Sequence, residues 1–434
     1  MTTHNSNHSR RQFLQRLAWA GASGMLTGLG STSAQAATYN GKFLINIQLM
    51  GAMDITSFSD PKTNVTGKPI INNWASTAEV GKAGNIAYAP FAANATFFNK
   101  YYRDMLVING VDAQTNSHTV GVLHNWSGRN SEGYPTLTAL FAGVHQQAMP
   151  MPYLNFGGFA ATQGVTTVTQ IGRMSVLQNL IEPNFAEATN KRYVQTSDWD
   201  RIAAMHSAGL TARSTAASTT EAAAYQQHAY ADALTKSSAI TVFADLLPPT
   251  SQLQQTRRVG TGSSSLHQQL QVSLLAFKAG VTVSSDVFEG GFDTHDNQDT
   301  RLSAVLTNLT DALDYCWTYA TELGIADRLV IVMGSDFGRT PFYNSSNGKD
   351  HWPIGGVMVM QKNASFGNRV VGLTDSGHNA MKINPTTLQA DTAKGVILKP
   401  AHVHKALRKQ LGLDTAAVTQ RFPFSTTEDV AIFG

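Results

Sequence analysis

Residues 281–298 read VTVSSDVFEGGFDTHDNQ, and three structural signals follow one another along them. Residues 281–288 are rich in β-branched side chains, the composition of a strand. Gly290 and Gly291 break the run, and Asp293, Thr294 and His295 follow in the loop. Beyond it, Leu302, Val305, Leu306, Leu309 and Leu313 recur at +3, +4, +7 and +11, which is the spacing of one helix face. Strand, polar loop and helix in that order are the unit of an α/β fold.

The same alternation extends in both directions. Residues 42–49 (KFLINIQL) form an apolar run of strand length ended by Gly51-Ala52-Met53-Asp54, and residues 105–109 form a second, closed by Gly110. Residues 329–333 and 357–360 are strands of the buried type. Helices are expected over 119–126, with Ser117 near the N-cap, over 266–278 and, as a closing element, over 402–411. Between about 196 and 264 the composition shifts to Ala, Ser, Thr and Gln, with helical stretches around 201–212 and 221–236 and loops at 247–250 and 260–263. There is no internal repeat. The expected fold is α/β: a mostly parallel sheet flanked by helices on both faces, in one domain over 37–434, with an Ala-rich helical insertion.

The first 36 residues hold three arginines and no Asp, Glu or Lys. Arg10-Arg11 precedes a mildly apolar, glycine-broken stretch at 17–29, and Ala34-Gln35-Ala36 supplies small residues at signal-peptidase spacing. The arginine pair is the address of the twin-arginine translocase, and the apolar stretch is short of the roughly 20 residues an anchor needs. The expectation is an exported protein, periplasmic or secreted, with the translocase as partner during export and no membrane anchor after cleavage. The whole chain carries 32 Lys+Arg and 29 Asp+Glu; without the three leader arginines the balance is 29 to 29. A neutral chain has no nucleic-acid footprint. Cys316 is the single cysteine, so no internal disulfide forms and the core must supply the stability.

In open α/β sheets ligands bind beyond the carboxyl ends of the strands, and the polar clusters fall there: Asp54, Asn116-Ser117-His118, Asp293-Thr294-His295 and Ser335-Asp336, with Lys349-Asp350-His351 ahead of the next strand. Carboxylates and histidines gathered at one edge have the ligand chemistry of a zinc or manganese site, and a serine beside such a metal would be activated for attack. Each residue also has a plainer reading: Asp54 as a turn residue, Asp293 as a helix cap, Asp336 as the salt-bridge partner of Arg339, His351 as a packed histidine, Ser117 as an N-cap. His118 and His124 are six apart, which is no helical pair.

The leader, NGVDAQTNSH (109–118), WSGRNSEGYPTLTAL (126–140), GGFDTHDNQ (290–298), SDFGRTP (335–341) and GKDHWP (348–353) together resemble a bacterial exported family, domain-of-unknown-function family 1501. By fold that family is placed in the alkaline phosphatase and sulfatase superfamily. The resemblance implies an alkaline-phosphatase-like domain with one or two divalent metal ions, zinc or manganese, at the sheet edge. It implies Asp54, Asp293, His295, Asp336 and His351 as metal ligands and Ser117 as the nucleophile. Asn116-Ser117 followed by Gly128-Arg129 is similar to the nucleophile segment of cofactor-independent phosphoglycerate mutase. Where many members carry Asp-His-Gly, this chain has Asp336-Phe337-Gly338, and a phenyl ring cannot bind a metal. Two functions follow from the resemblance. One is a metal-dependent hydrolase of phosphate or sulfate esters in which Arg129 or Arg339 holds the anionic oxygens of a small anionic ester. The other is a non-catalytic protein that binds an envelope component or a partner.

Overall fold

The computed structural model describes residues 39–434 apart from 146–148, 158, 173, 183, 187–190, 216–239, 250–251, 255–264 and 426. The expected leader, the helical stretch at 221–236 and the loop at 260–263 lie outside the described residues. An eight-stranded sheet forms the centre, built from β1 (Phe43–Leu49), β2 (Met105–Asp112), β3 (Tyr153–Asn155), β4 (Val168–Gln170), β5 (Ser284–Glu289), β6 (Leu329–Ser335), β7 (Ile354–Gln361) and β8 (Arg369–Val371). The order across it is β8-β2-β7-β6-β1-β5-β3-β4. All neighbours pair in parallel except β7, which runs against both β6 and β2.

Both faces of the sheet are covered, as its apolar strands require. Every residue of β1 is buried. Leu44, Leu106, Ile108, Val330, Val332 and Val359 share one core cluster with residues from helices α2 (Leu137–His145) and α6 (Pro400–Gln410). Phe43 points to the opposite face and stacks on Phe277 of α4 (Leu266–Ala279) at 4.7 Å between ring centroids. Ser265 caps α4 by accepting from the Gln268 amide, and Gly280 closes it in the left-handed region at φ 71°. The periodic segment becomes α5 (Gln298–Glu322), with Leu302, Val305, Leu306, Leu309 and Leu313 all buried. Each such side chain contributes about 1.5–3 kcal/mol relative to exposure. Of the insertion, α3 (Thr196–Thr215) is helical as expected. Among the described residues no helix is long and apolar enough to cross a membrane.

Gly110 does not end its strand, as the sequence led us to expect. β2 continues to Asp112, and Gly110 sits inside it at φ 65°, where a Cβ would meet the Leu373 carbonyl oxygen at 2.6 Å. In the middle of β5, Asp286 is fully buried among Thr138 Oγ1 (2.8 Å), the Tyr153 hydroxyl and Asn155 Nδ2 (3.5 Å). Burial, only partly offset by these bonds, pushes its carboxyl up to about 8. The native state therefore holds a proton there that the unfolded chain releases near pH 4. The stability this provides is complete below pH 4 and is lost as pH rises towards 8. Asp286→Asn is expected to flatten that decline, read as the urea midpoint at several values between pH 4 and 8. An unchanged slope would mean that Asp286 is ionised in the native protein.

Candidate metal centre

Strand register places the chemistry at one edge. Leu49 at the end of β1 is level with Ser335 of β6 and Glu289 of β5. Because β7 is reversed, its first residue, Ile354, is level with Asp112 at the end of β2. The residues that follow β1, β2, β5 and β6 and those that precede β7 therefore meet. Helix α1 (His118–Ser127) enters after β2. It is fixed to the sheet by Gln48, whose Oε1 accepts from Asn125 Nδ2 (2.7 Å) and from Trp126 Nε1. Gly121 lets the helix come close, since a Cβ there would lie 2.4 Å from the Asp336 carbonyl oxygen. That approach sets His118 against the Asp336 carboxylate.

Four side-chain atoms converge there. Asp293 Oδ1 lies 3.1 Å from His295 Nε2, 3.7 Å from His351 Nε2 and 3.8 Å from His118 Nε2. His295 Nε2 and His351 Nε2 are 3.1 Å apart. Donors held tetrahedrally at about 2.0–2.2 Å from a zinc ion would stand about 3.3–3.6 Å from one another, and these four separations, from 3.1 to 3.8 Å, bracket that range. His118, Asp293 and His351 each offer a ligand atom within 4.8 Å of the others.

The hydrogen bonds at the far side of each ring make the same point. His118 Nδ1 meets Asp336 Oδ2, His295 Nδ1 meets Asp350 Oδ1 at 2.7 Å, and His351 Nδ1 meets the Asn116 carbonyl at 2.8 Å. Every partner is an acceptor, so each ring donates from Nδ1 and turns its Nε2 inward. That second-sphere pattern orients histidine ligands for a metal. Three imidazoles with one carboxylate are a donor set of the kind that binds zinc, and the Arg339 guanidinium is the cation already beside it.

Electrostatics follow from these contacts. The bond to Asp336 raises His118, whereas burial lowers His351 and keeps it neutral. Burial would raise Asp293, but Arg339 overrides it and the carboxyl is lowered. The bond from His295 lowers Asp350. Phe337, buried with Ala52 and Ala113, forms the floor. Its ring lies 4.8 Å from that of His118 and 4.7 Å from that of His351. The site opens to solvent above, with the Asp293 and His295 side chains 52% and 47% exposed.

The residues expected from sequence divide accordingly. Asp293, His295 and His351 come together. Asp336 stands behind His118, with Oδ2 on the imidazole and Oδ1 accepting from the Ala52 amide at 2.6 Å. Asp54 points elsewhere: it caps the turn Ile55–Ser57, and its Oδ2 is 2.7 Å from the buried ammonium of Lys349. Arg339 does pair with an aspartate, but with Asp293 rather than Asp336. It is fully buried, and its remaining donors go to Ala52 O (2.9 Å), Lys349 O (2.9 Å), Gly51 O and His295 Nε2 (3.4 Å). Only the N–H directed at His295 Nε2 would be released for a substrate oxygen if that nitrogen held a metal. Arg129 does not join the site. It lies beyond the far end of α1, eleven residues from His118, and bonds Ser131. Ser117 is the exposed N-cap of α1 and makes no capping hydrogen bond, so its hydroxyl is free at the rim beside His118.

His118 is the member of the cluster that sequence reasoning passed over. Its signal was present: a histidine one residue past a helix start, at the same sheet edge as two other loop histidines. The pairing test applied was helical spacing to His124, which is buried and bonded to Ala113 O at 2.9 Å.

A sequence model of one family, described as a protein of unknown function (DUF1501), matches residues 41–423. The chain belongs to that family. No curated protein matches this DUF1501 chain. Among solved structures it is similar to Ps i-CgsB in complex with k-i-k-neocarrahexaose, at 6% identity and a TM-score of 0.41, over 91% of this chain and 76% of that one. It is similar to the alkaline phosphatase of the Antarctic bacterium TAB5, at 8% identity and 0.36, over 86% and 99%. A third likeness is to the lipoteichoic acid synthase LtaP of Listeria monocytogenes, at 9% identity and 0.35, over 93% and 78%.

Proposed function

We propose that this chain is an exported hydrolase that uses a single divalent metal, zinc first, at His118, Asp293, His295 and His351. Its substrate class is a phosphate or sulfate ester. The observation that carries the reading is the convergence of three Nε2 atoms within 3.8 Å of Asp293 Oδ1, with every Nδ1 tied to an acceptor. Bound there, the ion supplies Lewis-acid polarisation of the ester oxygen and of the attacking group.

The chain's own residues do the rest. Asp336, Asp350 and the Asn116 carbonyl hold the rings in place. The Ser117 hydroxyl attacks phosphorus or sulfur and gives up its proton, and the alcohol oxygen takes one up as it leaves. Water then hydrolyses the seryl ester. The first backbone N–H groups of α1 face an anion favourably. Export rests on the arginine pair and small-residue site of the leader, and the twin-arginine translocase would be the partner in transit.

Ser117→Ala is expected to abolish ester turnover, screened on aryl phosphates and sulfates, while the zinc content stays at one equivalent. Full activity with the alanine would remove Ser117 from the mechanism and leave a metal-activated water as the nucleophile. One observation favours a second reading, a binding protein without turnover: Arg129 lies away from the cluster, and four of the five N–H donors of Arg339 are held by Ala52 O, Lys349 O, Gly51 O and Asp293 Oδ1. A zinc-loaded protein inert towards every ester would support it.

A further inference from the structure

Beside the histidine cluster lies a second cation, and it belongs to the chain. Lys349 Nζ is fully buried and donates to Asp54 Oδ2 (2.7 Å), Asn72 Oδ1 (3.0 Å) and Thr56 Oγ1 (3.2 Å). Its three protons are thereby used. Asp54 Oδ2 also accepts from Gln298 Nε2 at 3.0 Å, and Oδ1 from the Thr56 amide and hydroxyl at 2.9 and 2.6 Å. The Asp54 carboxyl is pushed up by burial and brought down further by the ammonium, with a net lowering. The pocket therefore holds one negative and one positive charge.

The main chain of Lys349 serves the cluster directly. Its amide donates to Thr294 O at 3.0 Å, and its carbonyl accepts from Arg339 Nη1 at 2.9 Å. Residues 350 and 351 follow at once, carrying the acceptor for His295 and the His351 ligand. Lys349 thus ties the segment before β7 to the turn after β1 through its ammonium and to the loop after β5 through its amide.

We propose that Lys349 is a positioning residue whose ammonium is the built-in cation of an oxygen-lined pocket, and that its charge, more than its bulk, holds the loops of the histidine cluster in register. One carboxylate fits one positive charge. A divalent ion in the same dry pocket would leave a charge unpaired, which is costly. The part of this inference that concerns metal affinity rests on the proposed metal centre; the part that concerns the pocket does not.

Truncating Lys349 to alanine removes three carbons and the nitrogen, the atoms of propylammonium. The experiment compares Lys349→Ala and Lys349→Met for thermal midpoint and zinc affinity, alone and with propylammonium or the neutral isostere 1-propanol. Both variants are expected to melt several degrees lower and to bind zinc about ten- to a hundredfold more weakly, as loss of outer-sphere support does. Propylammonium is expected to restore the alanine variant and 1-propanol to leave it unchanged. Wild-type behaviour of Lys349→Met, or equal rescue by both additives, would overturn the proposal. Should Lys349→Ala fail to fold, refolding with propylammonium alone upholds it, and refolding with both additives or with neither overturns it. If the wild-type chain binds no zinc, the metal centre fails, yet the melting comparison still decides the role of Lys349.

Discussion

The chain with His118→Ala, dialysed against zinc and then buffer, is expected to retain no metal, whereas the wild-type protein retains one equivalent. The affinity lost should exceed about a hundredfold, the upper end for outer-sphere partners, because a ligand itself is removed. Asp293→Asn should behave alike, since Asp293 Oδ1 stands within 3.8 Å of all three Nε2 atoms. Asp336→Asn touches only the far side of His118 and should cost about ten- to a hundredfold. Competition with a chelating dye ranks the three. The stoichiometry of one follows from two neighbours: Phe337 occupies the floor without a donor atom, and Lys349 already neutralises Asp54. Equal zinc affinity in His118→Ala and wild type would mean that the cluster is not where metal binds.

Gly348→Ala should be the most damaging conservative change in the site. A Cβ there would lie 1.9 Å from the His295 carbonyl carbon and 2.0 Å from its oxygen. Both contacts are main chain, so no side chain can swing aside. The neighbouring pairing of Asp296 with Asn347 holds the two segments together, and the added methyl must separate them. The expected cost is about 3 kcal/mol, the upper end for overpacking, seen as a lower urea midpoint. Zinc should weaken in parallel, because His295 and Asp350 lie on opposite sides of the forced gap. A variant with the wild-type midpoint would show that the two loops do not approach so closely in solution.

Much of this architecture could be read from the chain. The recurrence of Leu302, Val305, Leu306, Leu309 and Leu313 marked α5, and the apolar runs marked β1, β5 and β6, because each pattern is local. Strand direction is not local. GGVMVMQ in β7 has nothing in its composition to say that it runs against its neighbours, although that reversal is what brings His351 to Asp293 and His295. The expected loop positions for Asp293, His295 and His351 rested on the sheet-edge rule and the family resemblance, and these three converge. Asp54 was misjudged because its partner is a buried lysine. Lysine is the residue least expected in a dry interior, so Lys349 read as one more polar loop position. Arg339 and Asp336 carried the right charges, but which side of a loop a side chain faces is decided by packing at a distance in sequence. Gly121 against Asp336 is one such case.

The reversed strand also decides where this protein can change without losing its chemistry. In a parallel strand the connection that leaves it borders the site, but in β7 it is the connection that arrives. The excursion from 340 to 350 therefore borders the edge that carries the histidine cluster, while the turn after Gln361 falls on the opposite rim of the sheet. Lengthening the first would reshape what can reach the histidine cluster from outside. Lengthening the second would leave the approach untouched, which makes that turn the place to graft a tag or a reporter.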